Sequence, residues 1–177
     1  MQMNATDHFD TVIDSDDVES TPIGDLEELL IGALLWAHPA AAKQVTEHMC
    51  RDDFAIPLYR ELFEVIAGLV TEGAPHSTPM VAARLERDGR LGGHAGQRIK
   101  AALVAAATVG ADGGAVGHYA RAVASAAYRR SFHDAGLAIA EAAQTLPESD
   151  LFEHMVILGR RQRAATERLA ALRSAGL

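Results

Sequence analysis

The stretch Asp52–Gly93, DDFAIPLYRELFEVIAGLVTEGAPHSTPMVAARLERDGRLGG, leaves little choice of local structure. From Pro57 to Thr71 the apolar residues Leu58, Leu62, Phe63, Val65, Ile66, Leu69 and Val70 recur at three- and four-residue intervals, and Arg60, Glu61 and Glu64 fall outside the stripe. That period is helical; a strand would scatter the same residues over both faces. Glu72-Gly73-Ala74-Pro75 ends the helix. Thr78-Pro79 starts the next, with a hydroxyl at the N-cap and a proline in the first turn, where its missing N–H costs nothing. Met80, Val81 and Leu85 are expected to face the core, and Asp88-Gly89 to stop the helix.

The flanking segments read as partner helices. Gly24-Asp25 opens one, with Asp25 expected as N-cap and Glu28 as its capping-box partner. Leu26, Leu29, Leu30, Ala33 and Leu34 form its apolar face. His38-Pro39 breaks it, and a successor runs to about Met49 with Ala41, Val45 and Met49 inward. Residues 95–108 are Ala-rich, with Ile99, Leu103 and Val104 at helical spacing. After the Gly110–Gly114 loop, residues 115–145 hold one helical pattern without proline: Val116, Tyr119, Ala120, Val123, Ala127, Phe132, Leu137 and Ile139. Gly136 is its weak point, at a cost of about 1 kcal/mol relative to Ala. Leu146-Pro147-Glu148-Ser149 is a turn, with Ser149 or Asp150 expected to cap a last helix over residues 150–174 that carries Leu151, Met155 and Leu158 on one face. Two long helices joined by so short a turn make an antiparallel hairpin. The predicted fold is therefore all-α: a compact head of about five helices over residues 23–112, then a long hairpin over 113–177. Aromatics at 5% and an Ala-rich hydrophobic fraction of 49% agree with close-packed helices.

The net charge of −8 is concentrated at one end. Asp7, Asp10, Asp14, Asp16, Asp17 and Glu19 lie within the first nineteen residues, which hold no Lys or Arg; the rest sets 18 acidic against 16 basic residues. Residues 1–22 are expected to be a disordered acidic tail. The near-neutral body argues against a broad nucleic-acid face, so direct nucleic acid binding is not expected. One cysteine, Cys50, allows no internal disulfide. Neither a secretory leader nor a membrane span is expected, which points to the cytoplasm.

The search for chemistry returns little. VGADGGAVGHY is glycine-rich but lacks G-x-x-x-x-G-K-[ST], contains no Lys and follows no strand. His48 and Cys50, two residues apart, would not face each other on a helix. His133 and His154, with Asp134 and Glu153 beside them, are the nearest approach to a surface metal set across the hairpin. No catalytic, cofactor-binding or metal-ligating set is assigned, and no cofactor is expected. Arg160, Arg161, Arg163, Arg168 and Arg173 make the last helix basic, a face suited to carboxylate or phosphate.

The order of these elements resembles the N-terminal domain of DnaB-type bacterial replicative helicases. The resemblance begins at DLEELLIGALLWAHPAAAKQV. It continues through Asp53-Phe54, Pro57, Leu62-Phe63, Gly73-Ala74-Pro75, Thr78 with Val81, and Gly89 with Leu91, and resumes at HYARAVASAAYRRSF. Ala55-Ile56 departs from the family's second aromatic, and GADGG from its Pro/Asn loop. No ATPase motif of the family's RecA-like motor domain occurs in the sequence. The resemblance implies a non-catalytic interaction module of DNA replication that self-associates through its hairpin as a homo-dimer or higher oligomer and binds primase, replicative helicase or loader. The partner-binding residues it suggests are Tyr119, Val123, Tyr128, Arg129, Phe132, Leu151, Met155 and Leu158. The alternative is a small helical DNA-binding regulator using the Arg-rich last helix.

Overall fold

The computed structural model describes residues 23–176; the acidic segment 1–22 lies outside them, as do the side chains of residues 23–25. The elements are α1 (Ile23–Trp36), α2 (Pro39–His48), α3 (Pro57–Thr71), α4 (Thr78–Arg87), α5 (Gly93–Thr108), α6 (Val116–Thr145) and α7 (Glu148–Ser174), with 3₁₀ turns at Arg51–Asp53 and Gly113–Ala115. Among the described residues there is no strand. The all-α expectation of five shorter helices followed by a long two-helix hairpin holds. No single described helix is long and apolar enough to cross a membrane.

α1 is the central strut, packed against α3, α5 and α6. Its buried face differs from the predicted one. Leu30, Ile31 and Leu34 are fully buried, and Glu27 shares their register with no exposed surface, whereas Leu26 and Leu29 are only half-buried. The helix already begins at Ile23, so Asp25 stands inside it and its side chain lies outside the described set. The Glu28 carboxylate accepts a hydrogen bond from the Tyr59 hydroxyl at 2.5 Å.

Glu27 explains how α3 starts. Its N-cap residue is Ile56, which has no side-chain acceptor, and Pro57 follows with no N–H. The missing acceptor comes from α1. Glu27 Oε1 accepts the Ala55 N–H at 2.6 Å, and Oε2 accepts the Ile56 N–H at 3.0 Å. A carboxylate there also faces the positive end of the α3 dipole, which offsets part of the cost of burying a charge. Phe54 is fully buried against Phe63, with ring centroids 5.0 Å apart.

The two Gly turns behave as read. Gly73 and Gly89 take φ values of 69° and 70°. Behind Gly89 the Arg90 N–H reaches Leu85 and the Gly89 N–H reaches Glu86; Ala74 and Gly73 do the same to Leu69 and Val70. Both are Schellman stops that need a left-handed residue. The start of α4 departs from expectation. Ser77 is the N-cap, Thr78 is already helical, and the Thr78 hydroxyl is buried without a partner. The helix begins one residue early, and Met80 turns outward, 38% exposed, while Val81 and Leu85 are buried. In α2 the His38 ring caps Ala40 through Nδ1 at 3.3 Å, and Ala42 takes the inward place expected of Ala41. In α5 Ile99, Leu103 and Ala106 are buried, but Val104 is 51% exposed.

Arg84 of α4 closes the α3–α4 turn. It bonds Glu72 with both terminal nitrogens, at 2.8 and 2.5 Å. The hydrogen bond from Arg84 holds the Glu72 carboxyl below the ordinary carboxylate range, with the Arg84 and Arg87 charges adding to it and desolvation opposing. A lowered folded-state value stabilises the fold above the unfolded-state value, and that contribution is lost as pH falls through the lowered one. Acid titration of stability should therefore show the difference between wild type and Glu72→Gln constant at neutral pH and shrinking below the ordinary Glu range. A difference independent of pH would contradict the pairing.

The axes of α5 and α6 are bent by 97° at the intervening break. The first half of α6 runs into the head core, with Val116, Ala120 and Val123 buried against α1. Among the described residues its second half lies along α7, from the Ser131–Gln162 contact outward. The last cap also differs from expectation: α7 starts from Pro147, and Ser149 and Asp150 lie within its first turn, bonded to each other at 2.8 Å.

Candidate interaction surface

The hairpin seam is narrow because its α6 side is small: Ala127, Ala135 and Ala142 are buried, opposite Leu158, Leu169 and Leu172. Polar contacts fix the register. Ser131 Oγ donates to Gln162 Oε1 at 3.0 Å, Gln162 Nε2 returns a bond to the Ser131 carbonyl at 2.8 Å, and the Tyr128 and Thr166 hydroxyls meet at 3.1 Å.

Alanines pack the helices closely but cover little, so larger apolar residues beside the seam stay in solvent. Phe132 is 48% exposed, Leu137 59%, Ile139 44%, Phe152 71% and Met155 49%. The helical pattern that grouped Phe132, Leu137 and Ile139 with Val116 and Val123 is thus split. The period is right, but beyond Ser131 no head helix remains to cover that face. Ile139, Ala143, Leu151, Phe152 and Met155 line a shallow apolar depression of about 340 Å³ near the hairpin tip. Nearer the head, Tyr128, Arg129 and Phe132 line a second one with Thr166, Leu169 and Arg173. The Tyr128 and Phe132 rings sit edge to face at 4.9 Å.

The eight suggested partner-binding residues therefore separate into groups. Tyr128, Arg129 and Phe132 come together, as do Leu151 and Met155. Tyr119 and Val123 lie on the head side of α6, half-buried and buried, and Leu158 is spent on the seam. Phe152 was missed, although its i, i+3 spacing to Met155 marked it. Trp36 was missed as well: it is 64% exposed at the end of α1, beside a shallow groove lined by Pro39, Lys43 and Pro75. A tryptophan two residues before a His-Pro break was its signal.

Where head and hairpin meet, Asp53 is the node. Its Oδ2 accepts the Cys50 N–H at 2.8 Å, its Oδ1 lies 3.6 Å from Arg168, and its carbonyl accepts Arg130 Nη2 at 2.9 Å. Arg168 also donates to Cys50 Sγ at 2.9 Å, and the second terminal nitrogen of Arg130 is buried without a partner. A cavity of about 150 Å³ lies here, lined in part by His48, Tyr128, Ser131 and Arg168. His48 uses Nδ1 on the Gln44 carbonyl, 2.8 Å away. His133 is exposed beside Asp134, and His154 Nε2 is buried without a partner. Among the described residues no group of three or more His, Cys, Asp and Glu is placed to hold a metal.

The family model for the DnaB-like helicase N-terminal domain matches residues 21–125, from the start of α1 into α6. The chain belongs to the DnaB-like helicase N-terminal domain family. The solved N-terminal domain of DnaB helicase from Mycobacterium tuberculosis has a similar fold, with a TM-score of 0.66 at 24% identity, covering 77% of this chain and 95% of that one. A search of curated proteins returned no match. The match is to the N-terminal domain and not to a motor domain. Most of the hairpin, from residue 126 onward, lies beyond the family model's match, so the exposed hairpin face rests on the geometry alone.

Proposed function

We propose that this DnaB-like N-terminal domain is a non-catalytic protein–protein interaction module of DNA replication. Residues 23–112 would act as its head and 113–177 as its associating hairpin, in the cytoplasm. The observation that carries the reading is the uncovered apolar face of the hairpin, above all Phe152, Met155 and Ile139, on a chain of this family. An exposed patch of this kind marks an association surface. A second copy of the chain is its proposed partner, and primase, replicative helicase or loader are proposed for the head and the remaining hairpin surface.

The test is sedimentation or light scattering across a concentration series. Wild type should run as a dimer or larger. Phe152→Asp combined with Met155→Asp should weaken association by at least about a hundredfold, because each places a desolvated charge in the proposed interface between copies. A wild-type chain that stays monomeric at high concentration would remove self-association. Pull-downs against the host primase and helicase address the partners separately.

The second reading, a DNA-binding regulator, has one observation in its favour: Arg160, Arg161 and Arg163 are exposed on α7. The near-neutral body counts against it. A salt-dependent gel shift separates the two, and no shift is expected.

A further inference from the structure

The depression nearer the head has a composition unlike the hairpin tip. Tyr128, Phe132 and Leu169 supply an apolar floor, and Arg129 on α6 and Arg173 on α7 stand at its rim. Its volume is about 630 Å³. Both arginines are exposed, and neither has an ion pair or hydrogen bond among the described residues. No acidic residue lines the groove. It therefore suits an occupant that is acidic with an apolar stripe.

The chain itself contains such a segment. Phe9, Val12 and Ile13 are spaced i, i+3, i+4, and they are interleaved with Asp7, Asp10, Asp14, Asp16 and Asp17 with no basic residue among them. That spacing would bring the three apolar residues onto one side of a helical turn, with Asp16 at the end of that side and Asp10 and Asp17 along one edge of it, the pattern of a helix received by a groove. We infer that residues 7–17 dock in cis in the groove between α6 and α7, with Phe9, Val12 and Ile13 over Tyr128, Phe132 and Leu169 and the aspartates against Arg129 and Arg173.

Asp17, the end of that segment, lies six residues before Ile23, the start of α1, a span of about 20 Å when extended. The first turn of α1 lies beside the Asp53 junction, since Glu27 holds the Ala55 N–H and the Asp53 carbonyl holds Arg130. The Asp53 cavity and the groove take alternate faces of α6 and α7, so the segment must pass round one helix, a body about 10–12 Å across. Docked in this way, the acidic segment covers Arg129 and Phe132 and leaves the Phe152–Met155 tip free. The contact does not depend on the self-association proposed above.

Photo-crosslinking in the full chain tests this. Phe9 is replaced by benzoylphenylalanine, the chain is irradiated at low concentration, and adducts are mapped by mass spectrometry; sedimentation of the same samples reads self-association independently. Intramolecular adducts to residues 125–132 or 166–173 are expected. Arg129→Glu with Arg173→Glu should lower their yield by about tenfold, the size of two exposed attractions turned into repulsions. Arg98→Glu with Lys100→Glu, the same charge change on the exposed side of α5, should leave the yield unchanged, and thermal melts check that both double variants fold. Adducts only to a second chain, adducts elsewhere, or equal loss in both double variants would each overturn the inference.

Discussion

Glu27→Ala is expected to be the most damaging single substitution in the head, lowering stability by about 4 kcal/mol. The change removes the acceptor for two N–H groups, those of Ala55 and Ile56, at a helix start that cannot cap itself. An orphaned buried donor costs about 1–3 kcal/mol, and the space left by the side chain adds to it. For a chain of this size that is a fall in melting temperature of about 12 °C. Glu27→Gln keeps the shape but sets an amide N–H₂ against one of the two donors, so about half the loss is expected. Chemical denaturation checks both variants, since a shift in midpoint without a change in slope reads stability alone. If Glu27→Ala cost no more than an exposed Glu→Ala change such as one at Glu47, the capping role would be wrong.

Gly32→Ala is the second large effect, with an expected loss of about 2–3 kcal/mol. A Cβ at Gly32 would overlap the Ala106 carbonyl oxygen and stand 3.0 Å from Val109 Cγ1. The first obstacle is backbone, so α1 and α5 must separate, and overpacking of this kind costs about 1–3 kcal/mol or more. Gly68→Ala in α3 is the internal comparison. Nothing lies within 4 Å of a Cβ there, so the gain in helix propensity acts alone and stabilises by about 0.5–1 kcal/mol. Opposite signs for the same substitution in two helix interiors would isolate the packing contribution. Equal signs would refute the close crossing.

How much of this the sequence discloses follows from what periodicity can carry. The bounds of α3 and its stop at Gly73 were legible because stripe, proline and glycine all agree at that place. The head-plus-hairpin layout followed from the lengths of the two last helical patterns and the four-residue turn between them. Periodicity assigns a residue to a face but does not say what lies opposite. Leu26 and Leu29 looked like core, yet α3, α5 and α6 close over the neighbouring face, and Glu27 goes inward with Leu30, Ile31 and Leu34. Phe132 and Ile139 looked like core for the same reason and meet solvent, because only α7 accompanies that half of α6. The cap on α3 was illegible for another reason: its acceptor stands 28 residues before the donor it serves, and capping rules read only near neighbours. In the candidate surface, Tyr128, Arg129 and Phe132, which the resemblance suggested along with five others, lie around one groove. Trp36 went unnoticed because one large apolar side chain at a helix end forms no pattern.

The thin alanine seam of the hairpin has a consequence for how the molecule comes apart. Past the Ser131–Gln162 contact, the tip is a two-helix layer with no third wall, and its larger apolar side chains lie outside the seam. Such a region opens at a lower free energy than the head, where α1 is enclosed on three sides, so unfolding should begin at the tip. Anything that covers the outer face then adds its binding free energy to the folding of that region. For this hairpin, persistence of the last turns of α6 and recognition of a partner are one equilibrium, and protein concentration becomes a variable of local order.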